Sequence, residues 1–387
     1  MSSDYIKILI TGDFCPVHRT EKLALDNNYE KALNDFIDVF SDNDLNIIDL
    51  ECPLTNEGSA RQKIGPHQKA HPDCINFLKL AGINVVALAN NHMMDYDTPG
   101  ARDTVELCKR NQILHVGIGS NGAEAANPIS ISIRGKRIAI LNYADNEFLK
   151  ATDSSWQCNP IDPVRMFNEI HKCRNEHDFI IAIIHAGNEH YELPSPRIKG
   201  LYRYVIDIGA DAVVSHHTHA YSGYEIYKSK PIFYGLGNFI YDWPGKINGR
   251  WNSGFVVKLL LGDEIVFKII PLKQSNKQPG VYHLSKDEED VFVKNIERLN
   301  KIIENDEQLE AEYNNYCTSV FPRFDAFIEP ALGKYITFLR KRGLFPRLVS
   351  GNKRLLLLNL IRCESHREIL IRMLSLHQEL PKNQHRE

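Results

Sequence analysis

The sequence predicts an α/β protein in which helices flank two packed mixed sheets, followed by a helical carboxyl-terminal appendage. Three observations carry that reading. Short β-branched runs alternate with longer amphipathic stretches from the start of the chain to about residue 220. The short runs are almost continuously apolar, as strands buried on both faces are. Two hairpins interrupt the alternation, so the strands are not all parallel.

The elements follow in order. Tyr5-Ile-Lys-Ile-Leu-Ile10 runs straight into Thr11-Gly12-Asp13 and reads as a first strand, not as a targeting segment. Further strands are expected at 45–50, 85–89, 179–184 and 212–214, and helices at about 20–40, 73–81, 99–111, 163–176 and 195–209. The hairpins are 129–133 with 137–143, turning at Arg134-Gly-Lys136, and 255–261 with 265–271, turning at Gly262-Asp-Glu264.

Near residue 283 the character changes, which places an α/β domain at 1–282 and a helical extension at 283–387. Residues 286–312 hold ten acidic and four basic side chains, whereas 334–372 hold ten basic residues against Glu364 and Glu368 alone. Either these opposite charges face each other or water, or the basic part docks on an anionic polymer, a membrane surface or a partner. The apolar stretch 355–361 is too short to span a bilayer.

Composition narrows the classes. A chain of 387 residues that is 43% hydrophobic and 25% charged, with a net charge of −3, is an ordinary globular protein, not a disordered or collagen-like one. Its near-neutral balance gives no reason to expect a nucleic-acid partner. The eight cysteines are scattered without a C-x-x-C pair, so neither a zinc ribbon nor a thioredoxin motif is indicated and a reducing compartment is expected. No apolar run reaches about 18 residues. A cytoplasmic location follows, with peripheral membrane contact open to the basic region.

The chemistry sits at the carboxyl end of each apolar run. The first ends in Gly12-Asp13, the second in Asp49-Leu-Glu51, and the third in Asn90-Asn91-His92 with Asp95 close behind. The fourth ends in His185-Ala-Gly-Asn-Glu189-His190 and the fifth in Ser215-His216-His217-Thr-His219. In open α/β sheets, ligand sites lie beyond the carboxyl ends of strands. Imidazoles, carboxylates and an amide suit Mn, Fe or Zn. His217 and His219, two apart, can serve two neighbouring metals from one turn. A bridging carboxylate must then hold cations about 4 Å apart, and Glu51 is the candidate.

Taken singly, each residue also has an ordinary role. Asp13 fits a turn or helix cap, Glu51 a solvated strand end, and Asn91 a left-handed turn. His92 fits a hydrogen-bonded loop residue, Asp95 a cap near Thr98-Pro99, and His185 a satisfied core histidine. His216 is expected to point away. The loop carrying Lys63, His67, Lys69 and His71 is either solvated or open to an anionic substrate.

Taken in sequence, these stretches resemble the CapA family, capsule and poly-γ-glutamate synthesis proteins built on the calcineurin-like metallophosphoesterase fold. The matching stretches also include Pro53-Leu-Thr55, Gly209-Ala-Asp211 and Pro231-Ile-Phe-Tyr-Gly-Leu-Gly-Asn-Phe239, and span roughly residues 5–272. The resemblance implies two divalent metals, with Asp13 and His219 on one, Asn91, His185 and His217 on the other, and Glu51 bridging. It implies that His92 is the acid, oriented by Asp95, and that Glu189 and Asn238 lie near the site as substrate or supporting groups. The chain departs from the pattern in three places. Cys15 stands where many metallophosphoesterases have a histidine, Ser215 and His216 precede the His-x-His unit in place of glycine, and Asp97 also replaces a usual glycine.

Three functions are compatible with these residues. The first is a phosphoesterase acting on a phosphorylated sugar, lipid-linked intermediate or polymer end in capsule, exopolysaccharide or poly-γ-glutamate production. The second is a non-hydrolytic component that binds anionic polymer within a synthesis assembly, with a membrane-bound partner. The third is a metal-dependent amide hydrolase, since dinuclear sites also serve aminopeptidases.

Overall fold

The computed structural model describes residues 5–328 and 351–378. They fall into two compact units, one of residues 5–61 and 67–309, the other of residues 62–66 with the described part of 310–387.

The first unit is built on two mixed sheets. One runs β16 (Val281–His283), β15 (Ile265–Gln274), β14 (Ser253–Leu261), β1 (Ile6–Cys15), β2 (Leu45–Leu50), β3 (Val85–Ala87) and β4 (Leu114–Val116), with β13 (Asn238–Tyr241) also paired to β1. The other runs β11 (Tyr224–Tyr227), β12 (Lys230–Phe233), β10 (Ala212–His216), β9 (Phe179–His185), β7 (Lys136–Ala144) and β6 (Ile129–Ile133). A small ribbon joins β5 (Ile118–Gly119) to β8 (Gln157–Cys158). The expected hairpins are present as β6–β7 and β14–β15, both antiparallel. The first turns through Arg134 and Gly135 at φ of 50° and 79°, the left-handed pair that a two-residue hairpin loop needs.

The continuous apolar runs are explained by side chains alternating across each strand. Ile8, Ile10 and Ile47 pack inward against Ile140, Ile181, Ile183 and Val214 of the facing sheet. Their neighbours Leu9 and Ile48 point the other way, onto a cluster holding Phe36, Phe77 and Val105. On the second sheet Ile180, Ala182 and Ile184 likewise face a cluster with Met166, Ile170 and Tyr202. The order is therefore helix, sheet, sheet, helix. Each fully buried branched side chain contributes about 1.5–3 kcal/mol. Two of the outer helices, Pro163–Arg174 and Pro196–Asp207, start with proline in the first turn and with Asp162 or Ser195 accepting from backbone amides there.

Three features differ from the sequence reading. The helix expected at 20–40 is broken into Arg19–Leu25, Glu30–Leu33 and a 3-10 segment Asn34–Phe40. Asn27 and Asn34 interrupt it by taking left-handed φ of 55° and 47°, which asparagine tolerates. The strands end at His283 as the change of character implies, but the compact unit continues to Leu309. The helix Lys286–Glu304 carries a stripe of Phe292, Ile296, Leu299 and Ile303 that is buried in the sheet and helix clusters, beneath an acidic outer face. Strands β11 to β13 were also not anticipated.

In the second unit, the helices Gly351–Arg362 and Glu364–Gln378 follow the end of the helix Asp306–Ile328. Arg372 of the basic stretch pairs with Glu310 of the acidic one and lies 5.6 Å from the Tyr313 ring centre. Residues 334–350 of the basic stretch lie outside the described residues. Among the described residues no helix is long and apolar enough to cross a membrane. All eight cysteines are buried and free.

Candidate metal centre

The parallel strands bring their carboxyl ends to one edge of the sandwich. Asp13 on β1 is in register with Asp49 on β2 and with Asn238 on β13. His185 closes β9, in register with His216 on β10. The turn after β10 then delivers His217 and His219, and the segment after β3 delivers Asn91 and His92. All of these side chains are buried.

Local backbone makes the convergence work. His217 and His219 take φ of 86° and 53°, unusual for residues with a Cβ. Strain of this kind, of order 1–3 kcal/mol, is found where function holds it in place. At Gly12 the opposite constraint applies. A Cβ there would lie 1.9 Å from the Gly237 carbonyl oxygen, while the next amide, Asp13 N–H, donates to that same oxygen at 3.1 Å. Gly12→Ala is therefore expected to push β1 away from the 235–238 turn. It should lower stability by about 1–3 kcal/mol or more, as overpacking does, and displace Asp13. Thermal unfolding and divalent-cation titration of the variant check both effects.

Six of the sequence-predicted residues meet. His185 Nε2 lies 3.1 Å from Asn91 Oδ1, 3.1 Å from His217 Nδ1 and 3.5 Å from Glu51 Oε1. His219 Nδ1 lies 3.2 Å from Asp13 Oδ2, and its Nε2 lies 3.6 Å from Glu51 Oε1. The His217 backbone N–H points to both Asp13 oxygens at 3.3 Å. Three overlapping donor clusters result, Glu51–His185–His217, Asp13–Glu51–His219 and Asp13–Asp49–His185, and Glu51 belongs to the first two.

The donors fit a divalent cation. Glu51 is fully buried, yet neither carboxylate oxygen accepts a hydrogen bond, and Asp49 Oδ1 is in the same condition. Buried carboxylates are otherwise hydrogen-bonded, paired or metal-bound. The oxygen and imidazole donor set suits Mn, Fe or Zn. The ordinary roles available to Glu51 and the histidines in the sequence do not account for this arrangement.

Charges within the pocket are strongly coupled. Burial works against ionised Asp13, but the hydrogen bond and charge of His219 hold its pKa at about 2. Burial pushes Glu51 upward, and the charge of His219 only partly opposes this. Burial draws His219 down, yet Glu51 and Asp13 lift it to about 9. His185 is raised well above its ordinary value despite burial, by Asp49 and then Glu51. His217 is driven well below it by burial and by the charge of His185. Metal binding to such a cluster releases protons.

Around these donors, His92 Nδ1 lies 2.7 Å from Asp95 Oδ2, and the Gln68 amide donates to that oxygen at 2.7 Å. The loop of His67 and His71 thus braces Asp95. His67 Nε2 lies 2.6 Å from the Arg61 carbonyl, His71 Nδ1 accepts from the Asp73 amide at 3.2 Å, and Lys69 Nζ sits 4.6 Å from the Tyr96 ring centre. His216 turns its Nε2 to the Thr11 carbonyl at 2.8 Å, away from the donors as expected. Asp97, in place of glycine, takes φ of 49° and accepts from the Thr152 amide and hydroxyl at 2.8 and 2.7 Å. Cys15 is buried, and burial together with Cys52 pushes its thiol pKa far up, so it remains protonated.

Glu189 and Asn238 both lie beside the donors. Asn238 is a supporting group. It is fully buried, with Oδ1 3.0 Å from His219 Nδ1 and Nδ2 donating to the Trp251 carbonyl at 3.0 Å, so it orients His219. Glu189 is exposed and acts on the cluster through its charge, which helps to raise His219. The sequence reading gave no role to Asp49, which lies near the end of β2, two residues before Glu51. It also missed Asn188, buried with neither amide atom hydrogen-bonded, and the Trp251 and Tyr241 rings, 4.7 and 5.3 Å from the His219 ring centre.

The chain is similar to known proteins. Capsule biosynthesis protein CapA of Bacillus anthracis is 30% identical over 223 residues, covering 55% of this chain and 53% of the relative. PGA biosynthesis protein CapA of Bacillus subtilis (strain 168) is 29% identical over 246 residues, covering 62% and 64%. The chain thus spans a little over half to just under two thirds of these relatives. Among solved structures, a hypothetical protein from Thermus thermophilus aligns over 68% of this chain and 99% of that one, at 14% identity and a TM-score of 0.42. The family model for the bacterial capsule synthesis protein PGA_cap matches residues 7–243, the segment that carries every donor described above, and the chain belongs to that family, within the metallophosphoesterase-like superfamily.

Proposed function

We propose that this chain is a metal-dependent phosphoesterase acting in capsule, exopolysaccharide or poly-γ-glutamate production. Its centre would hold two divalent cations, one with Asp13 and His219, one with Asn91, His185 and His217, and Glu51 between them. The observation that carries the reading is Glu51, buried, without a hydrogen-bond donor and shared by two donor clusters. Bound cations of this kind polarise a phosphoryl group and lower the pKa of an attacking water.

The protein's own residues supply the rest. His92 holds the proton destined for the leaving oxygen, and Asp95, accepting from Nδ1–H, fixes the ring. Gln68 holds Asp95 in place from the backbone. Trp251 and Tyr241 exclude water beside His219, which strengthens each electrostatic contact in the pocket. Asn238 holds His219 through its amide oxygen. The substrate class is an anionic phosphate ester, namely a phosphorylated sugar, lipid-linked intermediate or polymer end. The relatives named for capsule and PGA biosynthesis support that setting.

The test is hydrolysis of an aryl phosphate with Mn²⁺ present, alongside a γ-glutamyl amide. Phosphate release by the wild type, lost in His217→Ala and after chelation, is expected. Cleavage of the amide without the ester would replace this reading with an amidase. Stoichiometric cation binding with neither activity would replace it with a polymer-binding role.

A further inference from the structure

We propose that Asp49 is the positioning residue that holds the His185 ring through Nδ1, so that Nε2 and not Nδ1 faces the cation; this rests on the metal-centre reading above. Asp49 Oδ2 lies 3.1 Å from His185 Nδ1, and the two side chains are 0% and 1% exposed. An ionised carboxylate only accepts hydrogen bonds. A bond at this distance therefore places the proton on Nδ1, as in the carboxylate–histidine pairs that support metal ligands elsewhere.

The other ring nitrogen faces the donors. Asn91 Oδ1, His217 Nδ1 and Glu51 Oε1 all lie within 3.1–3.5 Å of Nε2. A cation shared with those groups must be bound by Nε2, and an Nε2–H tautomer would block it. Asp49 is itself firmly placed. It sits on β2, in register with Asp13 on β1 and with Ala87 on β3. Among the described residues, His185 is the hydrogen-bond partner of its carboxylate, so nothing competes for Oδ2. The Asp49-x-Glu51 spacing thus gives two neighbouring carboxylates at the carboxyl end of β2 different tasks, one orienting a ligand and one binding.

The experiment uses the full chain labelled with ¹⁵N-histidine and loaded with Zn²⁺. Long-range ¹H–¹⁵N spectra report the His185 tautomer, assigned by loss of its signals in His185→Gln, and calorimetry reports Zn²⁺ affinity. Wild type is expected to show His185 protonated on Nδ1 and bound through Nε2. Asp49→Asn, close in shape, is expected to weaken Zn²⁺ binding about 10- to 100-fold, the usual effect of losing such a partner, and to move the His185 Nδ1–H proton signal upfield, since a neutral amide oxygen is a weaker acceptor than a carboxylate. An unchanged Nδ1–H signal in zinc-loaded Asp49→Asn overturns the inference while leaving the metal centre intact, whether or not affinity falls. A wild type that takes up no Zn²⁺ overturns the metal centre and this inference with it.

Discussion

Glu51→Gln is expected to abolish the thermal stabilisation that divalent cations give the wild type, while the metal-free variant unfolds at the same temperature or higher. The two halves come from one physical fact. Glu51 is fully buried and neither oxygen accepts a hydrogen bond, so its negative charge is unfavourable until a cation arrives. Glutamine keeps the shape and removes the charge. A cation at 100 times its dissociation constant should stabilise the wild type by about 2.7 kcal/mol. The variant, lacking the group shared by two of the donor clusters, should bind at least about 100-fold more weakly, beyond what the loss of an outer partner does. Scanning calorimetry of both proteins, chelated and with Mn²⁺, reads all four states. An equal cation-induced shift in the two proteins would remove Glu51 from the centre. A variant much less stable than the wild type without metal would mean that Glu51 serves the fold through its pairing with His185 and His219.

Much of this centre was legible because it is written at strand ends. A run such as Ile6 to Ile10 is apolar on both faces only when helices lie on one side and a second sheet on the other. The polar residue that ends the run must then lie at the edge of the sandwich. The first Asp, the Asp-x-Glu unit, the Asn-His pair and the His-x-His unit could all be placed in this way. Less was legible where tertiary contacts decide. The strands at 224–241 are short and broken by Lys228, Ser229 and Gly237, each at positive φ, so no period emerges from them. The apolar stripe of 286–304 is masked by its acidic face. Asn238 carries a side chain suited to a substrate, and only the position of Trp251 shows that its amide is already engaged. Asp49 was visible, but which carboxylate of Asp49-x-Glu51 binds and which orients depends on where His185 directs its two nitrogens.

His92→Asn should lower kcat on an alkyl or sugar phosphate by about 10²- to 10⁴-fold, the range that a positioned acid supplies, with cation affinity unchanged. The separation is expected because His92 belongs to neither Glu51 donor cluster. Its Nδ1 lies 2.7 Å from Asp95 Oδ2 instead, an arrangement that holds the ring and leaves Nε2 for the leaving oxygen. Leaving-group basicity supplies the sharper criterion. An aryl oxide departs readily without a proton, whereas an alkoxide does not, so the loss should be much smaller with an aryl phosphate than with an alkyl one. Asp95→Asn should follow the same leaving-group trend with a smaller loss, since the ring remains but its orientation and charge partner are weakened. Asparagine also retains an oxygen for the Gln68 amide, so the loop at 61–71 should stay in place. A loss of equal size for both ester classes would show that His92 contacts the phosphoryl group and does not protonate the leaving oxygen. A loss accompanied by release of the cation would place His92 among the ligands.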